Sequence, residues 1–131
     1  MDNSIFNNPK RVGFKEAISR FFTGYVKFSG RSSRSEYWFA TLFVFLYFVG
    51  IGIITAFSGA SKGSMNTITD ILFLPIFLPS LAVGVRRLHD TGKSGWLTLI
   101  GIIPFASIVL LVFYCIDGEA GSNQYGDGYL N

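Results

Sequence analysis

Two long apolar runs limit what this chain can fold into more than any other feature of its sequence. Residues 37–57 and residues 96–116 each contain 21 residues without a charged side chain. As α-helices rising about 1.5 Å per residue, both would cover the roughly 30 Å hydrocarbon layer of a bilayer. Only 15% of the 131 residues are charged, against about 25% in typical soluble domains. The sequence therefore predicts a membrane protein.

A third apolar run lies between these two. Residues 71–85 carry no charge but are too few to cross, and extending the segment to 66–85 brings in Asp70. Pro75 and Pro79 fall on one helical face, where each removes a backbone donor and can kink the helix. We predict that residues 66–85 cross the membrane, and a re-entrant hairpin is the alternative. The predicted fold is an all-α membrane protein with three transmembrane helices.

The positions of lysine and arginine predict the orientation of these helices. Segment 1–36 contains seven, the 58–65 loop contains one, the 86–95 loop contains three and the tail 117–131 contains none. Because cytoplasmic loops are enriched in lysine and arginine, residues 1–36 and 86–95 are predicted to be cytoplasmic. With three crossings, the 58–65 loop and the polar tail 117–131 would then be external.

An amphipathic helix is predicted over residues 14–28, ahead of the first span. At 100° per residue, one arc collects the apolar side chains Phe14, Ala17, Ile18, Phe21, Phe22, Tyr25 and Phe28. Arg20 and Lys27 fall on the opposite face. An aromatic face opposed to a basic face is typical of a helix lying at a membrane interface. The alternative is a helix packed on the cytoplasmic ends of the protein's own spans.

The predicted topology brings two charged segments to the same leaflet. The cations expected to bind lipid or a partner are Arg31, Arg34, Arg86, Arg87 and Lys93. Glu36, His89 and Asp90 complete this charged cluster. Because arginine pairs with carboxylates in a bidentate manner, Glu36 and Asp90 are expected to join the ends of the first two spans. The remaining cations would then contact anionic lipid phosphate.

Several residues flank the first and last spans in a way that marks their ends. Tyr37, Trp38 and Trp96 fit the aromatic belt at a membrane–water interface. Ser33 or Ser35 is a suitable N-cap for the first span.

Catalytic and metal sites are weakly indicated. His89 could act as a proton acceptor oriented by Asp90 or Glu36, but one histidine and its neighbouring acid cannot assemble a zinc site alone. The Thr91–Gly95 segment lacks the first glycine of a phosphate-binding loop, because Arg87 occupies that position. We assign no catalytic residue, metal ligand or cofactor. Nucleic-acid binding is not expected, because the basic residues gather beside the apolar runs.

Three sequence motifs resemble those of a bacterial inner-membrane family, the YhaH/YhaI type, known as domain-of-unknown-function family 805. The first motif runs from Gly30-Arg31 through Arg34 to Glu36-Tyr37-Trp38, and the second is Arg86-Arg87-Leu88-His89-Asp90 followed by Gly92 and Ser94-Gly95-Trp96. The third comprises Gly118, Gly121-Ser122-Asn123 and Tyr125-Gly126. Family members often continue with an Asp-Pro segment, where this chain has Asp127-Gly128-Tyr129. The resemblance implies a protein of the bacterial inner membrane and implies no reaction.

Three functions are compatible with these features. The first is a non-enzymatic membrane protein whose basic cytoplasmic face binds anionic lipid or a membrane-protein partner. The second is an oligomeric transport component, with Pro75 and Pro79 kinking one helix and Gly50 and Gly52 permitting close helix contact. The third is an enzyme that acts on lipid head groups through His89.

Overall fold

The computed structural model describes residue 6 and residues 8–129. In chain order the elements are α1 (Phe14–Thr23), α2 (Arg34–Phe57), α3 (Lys62–Asp90), a 3₁₀ helix (Gly95–Ile102) and α4 (Ser107–Cys115). The described residues contain no β-strand beyond one isolated bridge between Asn123 and Gly126, so the all-α prediction is confirmed. Residues 1–5 and 7 of the predicted N-terminal segment, and 130–131 of the predicted tail, lie outside the described residues.

The helices α2 and α3 form an antiparallel pair. The Tyr47 hydroxyl donates to the Leu72 carbonyl at 3.0 Å, midway along both helices. The Ser32 amide, just before α2, donates to the Arg86 carbonyl near the end of α3 at 3.1 Å. The start of α2 therefore lies beside the end of α3, and we call this the polar end of the pair.

Within the described part of the chain, α2 and α3 are the two helices long and apolar enough to cross a membrane. The α2 side chains Phe45, Ile54 and Phe57 are 62%, 71% and 87% exposed. Pro75 and Pro79 lie inside α3 without ending it. Residues 66–85 therefore belong to one continuous helix and do not form the alternative hairpin.

The third transmembrane helix predicted over residues 96–116 is not confirmed, because the structure breaks this run in the middle. Ile103 is extended, with φ −88° and ψ 118°, and separates the 3₁₀ helix from α4. Pro104 follows it. A proline disfavours the helical conformation of the preceding residue and removes a backbone donor, so the break has a local cause.

The two limbs of this broken segment form a hairpin, residues 95–116, that begins and ends at the polar end. A Cβ on Gly95 would lie 2.6 Å from the Val85 side chain of α3. The Trp38 indole of α2 donates to the Tyr114 carbonyl at 3.3 Å. At about 2.0 Å per residue for the 3₁₀ helix and about 1.5 Å for α4, each limb reaches roughly half the depth of a hydrocarbon layer.

The tail after α4 lies against the polar end, which corrects its predicted location. The Glu119 amide donates to the Asp90 carbonyl at 2.7 Å, and the Asn123 amide group donates to the His89 carbonyl at 2.9 Å. Residues 86–95 and 117–131 were predicted on opposite sides of the membrane. Their direct contact makes those two locations incompatible.

The helix α1 is shorter than the predicted 14–28 segment and packs on α2. The Phe14 ring meets Phe39 edge-on at 6.0 Å, and the Phe21 ring meets Phe43 edge-on at 5.7 Å. Arg20, assigned to the solvent-facing side by the helical periodicity, is buried. These contacts favour a helix packed on the protein's own spans.

Candidate functional site

The polar end of the α2/α3 pair holds a buried network that we call the arginine cluster. Each of its six charged side chains belongs to a residue that is 5% exposed or less. The members are Arg20, Arg31, Glu36, Arg86, Arg87 and Asp90. The two carboxylates divide the cluster into two halves.

Glu36 organises the half nearest α1. Its Oε2 atom lies 3.4 Å from Arg20 Nη1, and its Oε1 atom lies 3.5 Å from Arg86 Nη2. The Ser32 hydroxyl donates to Oε1 at 3.0 Å. The carboxyl of Glu36 precedes the predicted span 37–57, and its burial raises its pKa while the two guanidiniums act in the opposite direction.

Arg86 joins three parts of the chain. Its Nε donates to the Ser32 hydroxyl at 2.9 Å, and its Nη1 donates to the carbonyls of Gly24 at 3.1 Å and Lys27 at 2.7 Å. Its guanidinium also lies 4.6 Å from the centroid of the Phe6 ring. Arg86 thereby links the segment after α1 to the start of α2 and the end of α3.

Asp90 organises the second half. Its Oδ1 atom lies 3.0 Å from Arg31, and its Oδ2 atom lies 2.5 Å from Arg87 Nη1. The Tyr129 hydroxyl, from the tail, also donates to Oδ2. Asp90 follows the predicted span 66–85. Burial raises the pKa of its carboxyl, whereas the Tyr129 hydrogen bond and the two guanidiniums lower it.

Arg31 holds the tail, and Arg87 holds the end of the hairpin that precedes the tail, through backbone carbonyls. Arg31 Nη1 donates to the carbonyls of Gly121 and Asp127, both at 2.9 Å, and Nη2 donates to the Glu119 carbonyl. Arg87 donates to the carbonyls of Tyr114, at 3.3 Å, and Ile116. Because ionised donors make hydrogen bonds roughly twice as strong as neutral ones, this arrangement holds the tail firmly.

The burial of these side chains corrects part of the predicted binding site. Arg31, Arg86 and Arg87 are each 0% exposed, and all three guanidinium nitrogens of each donate to protein groups. Lipid phosphate cannot reach them in this arrangement. Lys93 is half-buried, with Nζ 4.7 Å from the centroid of the Phe113 ring. Arg34, with a side chain 45% exposed, is the predicted cation left open to a ligand.

His89 lies beside the cluster but pairs with neither Glu36 nor Asp90. Its Nδ1 is 3.0 Å from the Gly30 carbonyl oxygen, and its ring stacks on Tyr125 at 3.9 Å and 3°. The predicted arrangement of a histidine base oriented by a carboxylate is therefore absent among the described residues. Within the same residues, no three His, Cys, Asp or Glu side chains converge as metal ligands would.

The predicted helix-end residues lie near the polar end. Ser33 is the N-cap of α2 and accepts from the Glu36 amide at 3.2 Å. Tyr37 stacks on Tyr114 at 4.4 Å, and Trp96 is 78% exposed. The interfacial position of Tyr37, Trp38 and Trp96 stays a prediction.

Sequence reasoning missed the tail's contribution to this site. Tyr125 and Tyr129 belong to the tail, which was predicted to lie on the external side of the membrane, opposite the rest of the cluster. Arg20 was missed because helical periodicity assigned it to the polar face. The third motif, which includes Asn123 and Tyr125, was the only signal that the tail has a defined structure.

Comparisons with known proteins agree with the motif resemblance. The family model described as "Protein of unknown function (DUF805)" matches residues 25–127. "Inner membrane protein YhaI" of Escherichia coli K12 is 42% identical over 104 residues, covering 79% of this chain and 86% of the relative. "Inner membrane protein YhaH" of the same strain is 38% identical, covering 78% and 86%. "Uncharacterized protein YiiR" of the same strain is 32% identical over 126 residues, covering 76% of this chain and 83% of the relative. No solved structure matches the chain.

Proposed function

Because the chain belongs to the DUF805 family, we propose that it is a non-enzymatic integral protein of the bacterial inner membrane that binds anionic phospholipid. The names of two relatives support a location in the inner membrane. The internal pairing of every carboxylate in the arginine cluster supports a structural role for that cluster. Lipid binding is then assigned to a neighbouring groove.

The proposed topology has two crossings and one re-entrant hairpin. The spans are residues 37–57 of α2 and residues 66–85 of α3, and the polar end is cytoplasmic. The hairpin 95–116 enters the cytoplasmic leaflet and returns. Its exposed apolar side chains support this placement, since Ile102 is 80% exposed and Phe105 is 86% exposed. The tail is then cytoplasmic as well.

Cysteine labelling tests the location of the tail. In a Cys115→Ser background, Gln124→Cys is expected to resist a membrane-impermeant maleimide in intact spheroplasts and to react after lysis. Gly63→Cys, at the opposite end of α3 with open space around it, is the control and is expected to react in intact spheroplasts. Labelling of Gln124→Cys in intact spheroplasts would mean that the tail is external, and would contradict the proposed topology.

The lipid site is a groove of about 950 Å³ between the start of α2 and the tail. Two exposed cations, Arg11 and Arg34, lie at its polar side. Trp38, Phe39 and Leu42 of α2 extend it along the predicted span. A groove with guanidiniums at one side and lipid-facing side chains at the other matches a phosphate joined to an acyl chain, and this observation carries the proposal.

Arg34 already has protein partners, and its geometry still leaves room for a phosphate. It donates to the Cys115 carbonyl at 3.2 Å and pairs with Asp117 at 2.7 Å. The Asp117 side chain is 84% exposed, so solvent screens the pair and its net stabilisation is small. A lipid phosphate would add to Arg34 or replace Asp117.

Neutralising the two groove cations tests this site. The double variant Arg11→Gln/Arg34→Gln is expected to bind phosphatidylglycerol about 10- to 30-fold more weakly, since each surface cation near lipid contributes about 1 kcal/mol. Lys15→Gln/Lys62→Gln removes the same charge from exposed positions outside the groove. The affinity of that control for phosphatidylglycerol is expected to stay within about twofold of the affinity of the unchanged chain. Affinities are measured by native mass spectrometry from detergent, and an equal loss in both variants would contradict a specific groove.

A further inference from the structure

A second cavity, separate from the groove at Arg11 and Arg34, lies between the last turns of α3 and the 3₁₀ helix. Its volume is about 480 Å³, within the range of pockets that hold small ligands. Its main walls are Phe28, Leu81, Val85, His89, Trp96 and Leu99. Trp96 and Leu99 are 78% and 57% exposed, so the pocket adjoins the apolar surface of the hairpin.

His89 carries the one basic side chain among the residues that line this pocket, and its tautomer follows from its contact with Gly30. A carbonyl oxygen can only accept, so Nδ1 carries the hydrogen in that 3.0 Å contact. The neutral ring then presents Nε2 as an unprotonated acceptor. Burial lowers the pKa of His89, which lies beyond the predicted span, and favours this neutral form.

The Nε2 atom is held in place and has no hydrogen-bond partner among the described residues. The Tyr125 ring fixes the plane of the imidazole, and His89 as a whole is 8% exposed. A Cβ on Gly95 would stand 3.3 Å from Nε2, so glycine at this position keeps space in front of the acceptor. The pocket thus presents the oriented lone pair of one imidazole beside apolar walls and the hydroxyl side chains of Ser94, Thr98 and Tyr125.

These features define the ligand by its chemistry. A deprotonated phosphate or carboxylate oxygen has no hydrogen to donate to Nε2, and no lysine or arginine lines the pocket to neutralise an anion. A purely apolar ligand would leave the acceptor unpaired. We propose that the pocket binds a neutral lipid alcohol whose hydroxyl donates to His89 Nε2 and whose hydrocarbon chain lies along Val85, Trp96 and Leu99. Entry from the bilayer rests on the proposed placement of the hairpin in the membrane.

Nitrogen NMR tests the proposal directly, because His89 is the only histidine in the chain. The full chain, labelled with ¹⁵N-histidine in lipid nanodiscs, is titrated with dioleoylglycerol. The Nε2 resonance is expected to start at the position of an unprotonated nitrogen and to shift on titration, while Nδ1 keeps its proton. The 3-O-methyl ether of dioleoylglycerol cannot donate and is expected to cause no comparable shift.

A pocket-filling variant provides a second test that leaves His89 intact. Leu99→Trp enlarges a wall residue and is expected to raise the titration midpoint for dioleoylglycerol at least about tenfold. Ile102→Trp, at an exposed position outside the pocket lining, is the matched control. The proposal is overturned if Nε2 is protonated at the start, if the methyl ether produces the same shift, or if Leu99→Trp leaves the midpoint unchanged. Phosphatidylglycerol binding at Arg34 is measured separately, so either proposed site can be contradicted while the other is still supported.

Discussion

Replacing Asp90 by asparagine is expected to lower the free energy of unfolding by about 3 to 5 kcal/mol, the usual effect of removing one partner from a buried ion pair. The carboxylate lies between Arg31 and Arg87, and all three residues are 0% exposed. Asparagine keeps the size of the side chain but removes its charge. Two guanidiniums would then remain buried without a counter-charge.

The same exchange at Asp117 provides the control. Asp117 also pairs with an arginine, at 2.7 Å, but its side chain is 84% exposed. Asp117→Asn is therefore expected to change stability by less than about 1 kcal/mol. Both variants are compared by chemical denaturation in mild detergent. Equal effects would mean that burial does not make the Asp90 pairs important for stability.

Gly118→Ala is expected to release the tail from the polar end. A Cβ at position 118 would lie 2.0 Å from Asp90 Oδ2. That oxygen cannot move aside easily, because Arg87 and Tyr129 both donate to it. Overpacking of this kind costs about 1 to 3 kcal/mol, and displacement of the tail is the simplest way to avoid it.

Limited proteolysis detects this release. Cleavage after residue 116 is expected to be faster in Gly118→Ala than in the unchanged chain, because an undocked tail exposes its backbone. Gly121→Ala is the matched control, since a Cβ there meets nothing within 4 Å. Equal cleavage of the two variants would argue that the tail is not held against Asp90 as described.

The arginine cluster was partly predictable from the sequence. Charge pairing predicted that Glu36 and Asp90 would join the ends of the first two spans, and both carboxylates do contact arginines from other segments. The assignment of the remaining arginines to lipid was not supported. Arg31 and Arg87 instead donate to main-chain carbonyls of residues 114–127. Every residue has a carbonyl, so no side-chain pattern marks such a partner.

The break at Ile103 was also difficult to predict. Pro75, Pro79 and Pro104 all lie in apolar runs, yet α3 continues through the first two. In α3 the helix is long on both sides of the prolines and packs along α2. Beyond Pro104, by contrast, the end of α4 is fixed at the polar end by Arg34, Trp38 and Arg87, so the chain has to turn back.

The sequence determined long apolar helices in the regions of residues 37–57 and 66–85, because both segments are mostly apolar and carry only one charge between them, at Asp70. It also determined a strong asymmetry of lysine and arginine, with ten in residues 1–36 and 86–95 and one in residues 58–65. Only the tertiary structure decided the path of residues 95–129. The tail contains no lysine or arginine, so the charge count is the same whichever side it occupies. Its position depends on Arg31 and Asp90, which contact it across long sequence separations.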